Sequence, residues 1–291
     1  MKYKADTAKL ILAMCIFGTI GIFRRKIPYP SGMIACTRGM IGASFLFLLH
    51  AMRRQRIDRK AVKRWLLPLC MSGICLGGNW VLLFEAYRFT AVSVATVCYY
   101  MAPVFAMLAA AIFFRERLTG KKILCILLAC GGMLLVSGIS GTQIKGAAGI
   151  FFGLGAAVLY AAVMLFNRFL TEIDSYDRTI VQLLVAAVAV GIYSLGMEKQ
   201  AMGTVDIQIV CLLLLIGVVH TGFAYALYFD SIGNLPIQTA AVFSYLDPVV
   251  SIILSAVLLQ EAMTIRYICG MAMILGGAIL NEISLEKKKN N

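Results

Sequence analysis

The sequence predicts an all-α membrane protein of ten transmembrane helices, arranged as two inverted-topology five-helix repeats. Three observations predict it. The 291 residues are 61% hydrophobic and only 14% charged, against about 25% charged in ordinary soluble domains. Apolar runs of membrane-crossing length recur ten times along the chain. The second half also repeats the first at an offset of 145 residues.

The ten runs cover about 7–23, 31–50, 66–87, 92–114, 121–140, 146–168, 178–197, 207–230, 237–259 and 266–285. Each is near the roughly 20 residues that a helix needs to cross the hydrocarbon core. None alternates in the manner of barrel strands, which leaves helices as the spanning structure. The first is the shortest: Leu10 to Phe23 lies between Lys9 and Arg24, and snorkelling of those ends makes up the length. No small-x-small cleavage site follows it, only Arg24-Arg25-Lys26, so it reads as a span rather than a secretion signal. The second ends at His50 and leads into a basic run, Arg53 to Arg64. The third carries Asn79 and Trp80 and closes on Glu85; the fourth is interrupted by Pro103, and the fifth holds Gly131-Gly132. The sixth and seventh are plain apolar runs. The eighth carries His220 and closes on Asp230, the ninth contains Asp247-Pro248, and the tenth holds Gly276-Gly277 before a basic tail, 286–291.

The formal net charge of +13 invites a nucleic-acid reading, but its distribution argues against one. With the N-terminus inside and ten spans, nineteen of the 27 lysines and arginines fall in the inside segments, as the positive-inside rule requires. Both termini are then cytoplasmic, the localisation is the plasma membrane, and no nucleic-acid partner is expected. Arg24, Arg25 and Lys26 stand against the rule. The nine cysteines lie within the spans and form no CxxC pair, so they read as small buried apolar residues rather than ligands or disulfides. No cofactor or metal site is predicted.

Setting Pro103 on Pro248 aligns Gly77 with Gly222, Phe84 with Phe229, Tyr100 with Tyr245, Glu116 with Glu261, Thr119 with Thr264, and Gly131-Gly132 with Gly276-Gly277. Coincidence of apolar letters means little in such a chain; a proline, an acid and a Gly-Gly pair in register mean more. Five spans per half is an odd number, so the second half must run the opposite way through the membrane, the inverted repeat of many secondary transporters. The repeats are 1–140 and 146–285. The two Gly-Gly helices are expected to pack closely, across the repeats or between the protomers of a homodimer.

Four stretches carry a family resemblance: "ACTRGMIGA" around Arg38, "NWVLLFEAYRFTAVSVATV", "MAPVFAMLAAAIFFRERLTGKKILCILLACGGMLLV" and its second copy, "LDPVVSIILSAVLLQEAMTIRYICGMAMILGGAIL". Over about residues 7 to 283 the chain resembles the EamA-type members of the drug/metabolite transporter superfamily. The resemblance implies a transporter of small polar metabolites, amino acids or drugs, often outward, with a central cavity lined mainly by helices 1, 3, 4, 6, 8 and 9. Asp247 departs from the usual pattern before the proline.

The candidate cavity residues are Arg38, Asn79, Trp80, Tyr99, His220, Tyr225, Ser244 and Asp247. A charge inside a span costs at least about 2.5–3.5 kcal/mol unless paired or solvated, so Arg38 either binds an anionic substrate group or forms a structural bridge. Asn79 faces the cavity or bonds a neighbouring helix, since buried amides need partners. Trp80 is too deep for the interfacial belt. His220 and Asp247 are the residues best placed to exchange protons, and Asp247 shares a helical face with Ser244 and Ser251. Glu85 and Asp230 are helix-end charges with a symmetric-gate alternative.

The sequence therefore reads as a secondary transporter working by alternating access on a small-molecule substrate, with membrane lipid as its surroundings, export as the direction and proton coupling at Asp247 or His220. It has no GxxxxGK[ST] loop for nucleotide and no HExxH or GxSxG for an enzyme. The rival reading is a transport-inactive interaction protein or sensor on the same fold.

Overall fold

In the computed structural model, residues 2–115, 119–137, 146–198, 206–232, 234–235 and 243–287 are described. Among them every regular element is helical. Pro236 to Val242, the start of the expected ninth span, and Glu116 lie outside the described residues.

The elements are α1 (Lys2–Gly18), α2 (Ile20–Arg25), α3 (Ser31–Met52), α4 (Arg59–Arg64), α5 (Leu66–Phe89), α6 (Val92–Tyr99), α7 (Ala102–Phe113), α8 (Gly120–Ser137), α9 (Ala147–Phe169), α10 (Ser175–Met197), α11 (Ile207–Leu215), a π-helical segment (Ile216–Phe223), α12 (Ala224–Ile232), α13 (Leu246–Leu258) and α14 (Ile265–Lys287). Seven helical stretches are long and apolar enough to cross a membrane: Lys4–Arg25, Ser31–Met52, Leu66–Phe89, Val92–Phe113, Ala147–Phe169, Ser175–Met197 and Ile207–Ser231. Shorter apolar helices at Leu246–Leu258 and Ile265–Gly277 accompany them.

Three of the long stretches are interrupted, and each interruption has a local cause. Between α1 and α2, the Thr19 hydroxyl donates to the Ile16 carbonyl at 2.7 Å. Between α6 and α7, Pro103 stands in the first turn of the new helix, where its missing N–H is not needed. In the stretch Ile207–Ser231 the Thr221 hydroxyl donates to the Ile216 carbonyl, five residues back, at 3.1 Å, matching the wider π turn.

Helices meet where glycine allows. A Cβ at Gly132 would lie 2.5 Å from the Gly270 carbonyl oxygen, and one at Gly277 would lie 3.0 Å from the Cys125 oxygen. So α8 and α14 cross antiparallel within one chain, carried by two of the expected glycines. On α3, Gly42 abuts Thr221 of the π segment, and Gly217 and Gly222 receive Ile41 and Phe45. Gly18 of α1 faces the Asp247 carbonyl, where a Cβ would come within 2.6 Å.

Both ends of the bundle are tied by carboxylates reaching between helices. Glu198 accepts from the Gly32 and Met33 N–H groups at 2.8 and 3.2 Å, and Glu261 from those of Val92 and Ser93 at 2.6 and 3.1 Å. Each satisfies orphan donors at a helix N-terminus. The basic triplet that breaks the charge rule sits at this end. Arg24 is buried and donates to the Ile27 carbonyl and the Ser31 hydroxyl, both at 2.9 Å. Arg25 donates to the Thr90 carbonyl and pairs with Glu261. These two arginines are fixed by tertiary bonding. At the opposite end Arg53 grips Asp230 with two nitrogens at 2.7 and 2.6 Å. Glu85 instead bonds its helix neighbour Arg88, so Glu85 and Asp230 do not form a symmetric pair.

Candidate functional site

Asp247 enters the interior because α13 begins there. Tyr245 caps that helix and Asp247 occupies its first turn, where a carboxylate suits the helix dipole. Its Oδ2 accepts from the Tyr100 hydroxyl at 2.8 Å, across from the break between α6 and α7. One turn further on, Ser251 and Thr96 share a hydrogen bond at 3.1 Å. Among the described residues no cation pairs with Asp247.

Arg38 enters from α3. Its Nε donates to the Thr221 hydroxyl at 3.0 Å, and its guanidinium lies 4.0 Å from the Trp80 ring centroid. The hydrogen bond and the stacked indole hold the planar group. No carboxylate pairs with it among the described residues.

Arg38 and Asp247 line one cavity of about 470 Å³. Its walls are aromatic: Trp80, Tyr87, Tyr99, Tyr100, Tyr160, Tyr225, Tyr228 and Tyr245, with Phe17 from α1. Tyr99 stacks on Tyr160 at 5.2 Å, and Phe17 contacts Tyr225 at 5.3 Å. Its size and its mostly apolar lining with a few polar groups are those of small-molecule sites.

Six of the eight candidates come together here: Arg38, Trp80, Tyr99, Tyr225, Ser244 and Asp247. Asn79 and His220 do not line the cavity. Asn79 is wholly buried and donates to the Ala156 carbonyl at 2.7 Å, joining α5 to α9. His220 is buried; its Nε2 shares a 2.7 Å hydrogen bond with Thr19, its Nδ1 lies 3.4 Å from the Leu215 carbonyl, and Phe23 meets its ring edge-on. It ties the α1–α2 break to the π segment. Tyr87, Tyr100, Tyr160 and Tyr245 were not among the candidates, although Tyr100 and Tyr245 are identical across the repeat alignment. The cavity also draws on α3, beyond the helices that the resemblance implies.

Two stretches, residues 8–138 and 147–282, match the model of the EamA-like transporter family. Over 287 residues the chain is 30% identical to the uncharacterized transporter YxxF of Bacillus subtilis, covering 97% of this chain and 91% of that one. It is 28% identical over 217 residues to a probable amino-acid metabolite efflux pump of Salmonella typhimurium, covering 70% and 72%. A solved crystal structure aligns over 98% of both chains with a TM-score of 0.67 at 18% identity, a likeness of fold.

Proposed function

The chain belongs to the EamA-like transporter family, a multi-pass membrane transporter and not an enzyme, and on that premise we propose that it is a secondary active exporter of a small zwitterionic metabolite. The observation that carries this reading is an arginine and an aspartate, neither in an ion pair among the described residues, facing one aromatic cavity. A buried charge is costly without a partner. A zwitterion supplies both partners: its carboxylate takes the guanidinium of Arg38, and its ammonium takes Asp247. The Salmonella relative's description as an amino-acid metabolite efflux pump supports both the chemistry and the outward direction.

The architecture in this reading is ten spans in two inverted repeats, 1–140 and 146–285, with the tail 286–291 and both termini on the cytoplasmic side of the plasma membrane. The symmetry of the packing supports it. α5 packs on α9, and its counterpart α12 packs on α1; α3 on α10 and α8 on α14 are each a helix against its own counterpart, and α6 packs on α13, the counterpart of its neighbour α7. Those self-pairs run antiparallel, as Gly32–Glu198 and Arg53–Tyr176 illustrate for α3 and α10. A fixed central site with rocking halves gives alternating access. Proton coupling falls to Asp247, since a proton and a substrate ammonium cannot both hold one carboxylate. His220 acts in the frame.

Counterflow in proteoliposomes tests the reading with an amino-acid panel, the matching decarboxylated amines and the matching amides. Amino acids exchange, and analogues lacking either charge exchange at least tenfold more weakly. Equal exchange of amines and amino acids defeats the zwitterion assignment. A solute that raises the melting temperature of the purified protein but never exchanges points to the sensor reading.

A further inference from the structure

We propose that the loop between α3 and α5 forms a binding site for the phosphate headgroup of an anionic phospholipid. Arg53 to Arg64 contains seven basic residues and one acid. Two of the seven are engaged: Arg53 pairs with Asp230 and Arg64 with Glu172. Arg54, Arg56, Arg59, Lys60 and Lys63 have no carboxylate partner among the described residues.

Three of these free cations converge. Arg56, Arg59 and Lys60 line a second cavity, of about 780 Å³, with Gln55, Asp58, Phe47 and His50. The acids nearby are turned to other work. Asp58 accepts from the Lys60 and Ala61 N–H groups at 3.0 and 3.1 Å, capping α4. Asp177 accepts from the Asp58 N–H at 2.9 Å and faces His50 Nε2 at 3.3 Å. His50 is only 6% exposed, and its Nδ1 makes no hydrogen bond among the described residues. A buried polar group without a partner is rare, and this one belongs to a residue on the wall of a cationic cavity. An anion with several acceptor oxygens suits both features.

The surroundings select a lipid over a free anion. The cavity lies beside the last turn of α3, a helix of membrane-crossing length. There Phe47 and Met52 are 52% and 81% exposed. An acyl chain on that apolar surface brings its headgroup to the arginines. Basic residues at the cytoplasmic end of a span attract anionic lipid by about 1 kcal/mol each. The bound headgroup then braces the end where Arg53 joins α3 to α12.

Thermal melting of the detergent-purified full chain tests this, with phosphatidylglycerol, phosphatidylcholine or inorganic phosphate added. Phosphatidylglycerol is expected to raise the melting temperature by several degrees, and the other two to leave it unchanged. The pair Arg56→Gln/Arg59→Gln removes the shift. The pair Arg54→Gln/Lys63→Gln removes equal charge outside the cavity and keeps it. Equal loss in both pairs would mean a diffuse field and overturn the site; so would an equal shift with inorganic phosphate, or no shift at all. Should the first pair not fold, native mass spectrometry of the unaltered chain decides. One phosphatidylglycerol retained at energies that strip phosphatidylcholine supports the site, and equal stripping overturns it.

Discussion

The Tyr100 hydroxyl donates to the Asp247 carboxylate at 2.8 Å, joining the break between α6 and α7 to the first turn of α13. The two residues come from opposite halves of the chain, so a proton or an ammonium arriving at Asp247 acts on the contact between the halves.

Asp247→Asn is expected to remove both functions of the carboxylate. Gradient-driven transport and its pH dependence are lost, and counterflow of the amino acid falls by tenfold or more because the substrate ammonium loses its partner. Full counterflow without coupling would leave Asp247 the proton carrier alone and remove it from substrate binding. Tyr100→Phe keeps the carboxylate and loses one hydrogen bond, about 0.5–1.5 kcal/mol, and both modes survive at reduced affinity. Normal coupled transport by Asp247→Asn would rule out either role. Melting temperature is measured alongside to confirm folding.

Arg38→Lys preserves charge but not shape. The guanidinium is held by Thr221 on one side and stacked on Trp80 at 4.0 Å on the other, geometry that an ammonium does not reproduce. Desolvated cation–π contacts are worth about 2 kcal/mol, so the apparent affinity for a carboxylate-bearing substrate falls by roughly tenfold or more (1.4 kcal/mol per tenfold). Trp80→Leu moves affinity in the same direction. The control is the decarboxylated amine, whose weak exchange neither variant changes; equal losses for amine and amino acid would place Arg38 in the frame alone.

The helical class and the break at Pro103 were legible because they depend on signals that survive in one dimension, run length and a proline; the break at Thr19 and the π segment were not, since each rests on a hydroxyl that bonds a carbonyl of its own stretch. The charged members of the cavity, Arg38 and Asp247, were legible because an apolar run makes any charge conspicuous. The facing of neutral polar residues was not. A span that is apolar all round carries no stripe to mark its inner side, so Asn79, bonded to the Ala156 carbonyl, and His220, bonded to Thr19, looked as suited to a cavity as to a helix contact. Tyrosines hid for a related reason: in membrane helices they are equally at home in interfacial belts, and Tyr87 and Tyr160 had no other mark. Tyr100 and Tyr245 did have one, their repetition three residues before the prolines.

At the Arg53 end, Asp230 accepts from two Arg53 nitrogens and from the Tyr176 hydroxyl, which lies 3.0 Å from Arg53. Three elements, α3, α10 and α12, meet there. An isolated surface pair contributes about 0–1 kcal/mol; a bidentate pair sharing a phenol should exceed it. Asp230→Asn and Arg53→Met are each expected to lower the melting temperature, and a double-mutant cycle should show positive coupling. If opening this end is part of the transport cycle, the variants also change turnover while leaving the substrate affinity of the cavity intact. Additive melting shifts with unaltered turnover would reduce the cluster to surface charge.

The crossing of α8 and α14 yields a paired prediction. Gly132 and Gly276 are both helical glycines from the repeated Gly-Gly pairs, yet their surroundings differ. A Cβ at Gly132 meets the Gly270 oxygen at 2.5 Å and Ile274 at 2.8 Å, whereas one at Gly276 meets nothing within 4 Å. Backbone oxygen cannot swing aside as a side-chain tip can, so Gly132→Ala must push the helices apart. Overpacking of this kind costs about 1–3 kcal/mol, or several degrees of melting temperature at about 2–4 °C per kcal/mol. Gly276→Ala gains helix propensity of up to about 1 kcal/mol and should leave melting level or slightly raised. Equal effects of the two substitutions would mean that α8 and α14 do not cross as described.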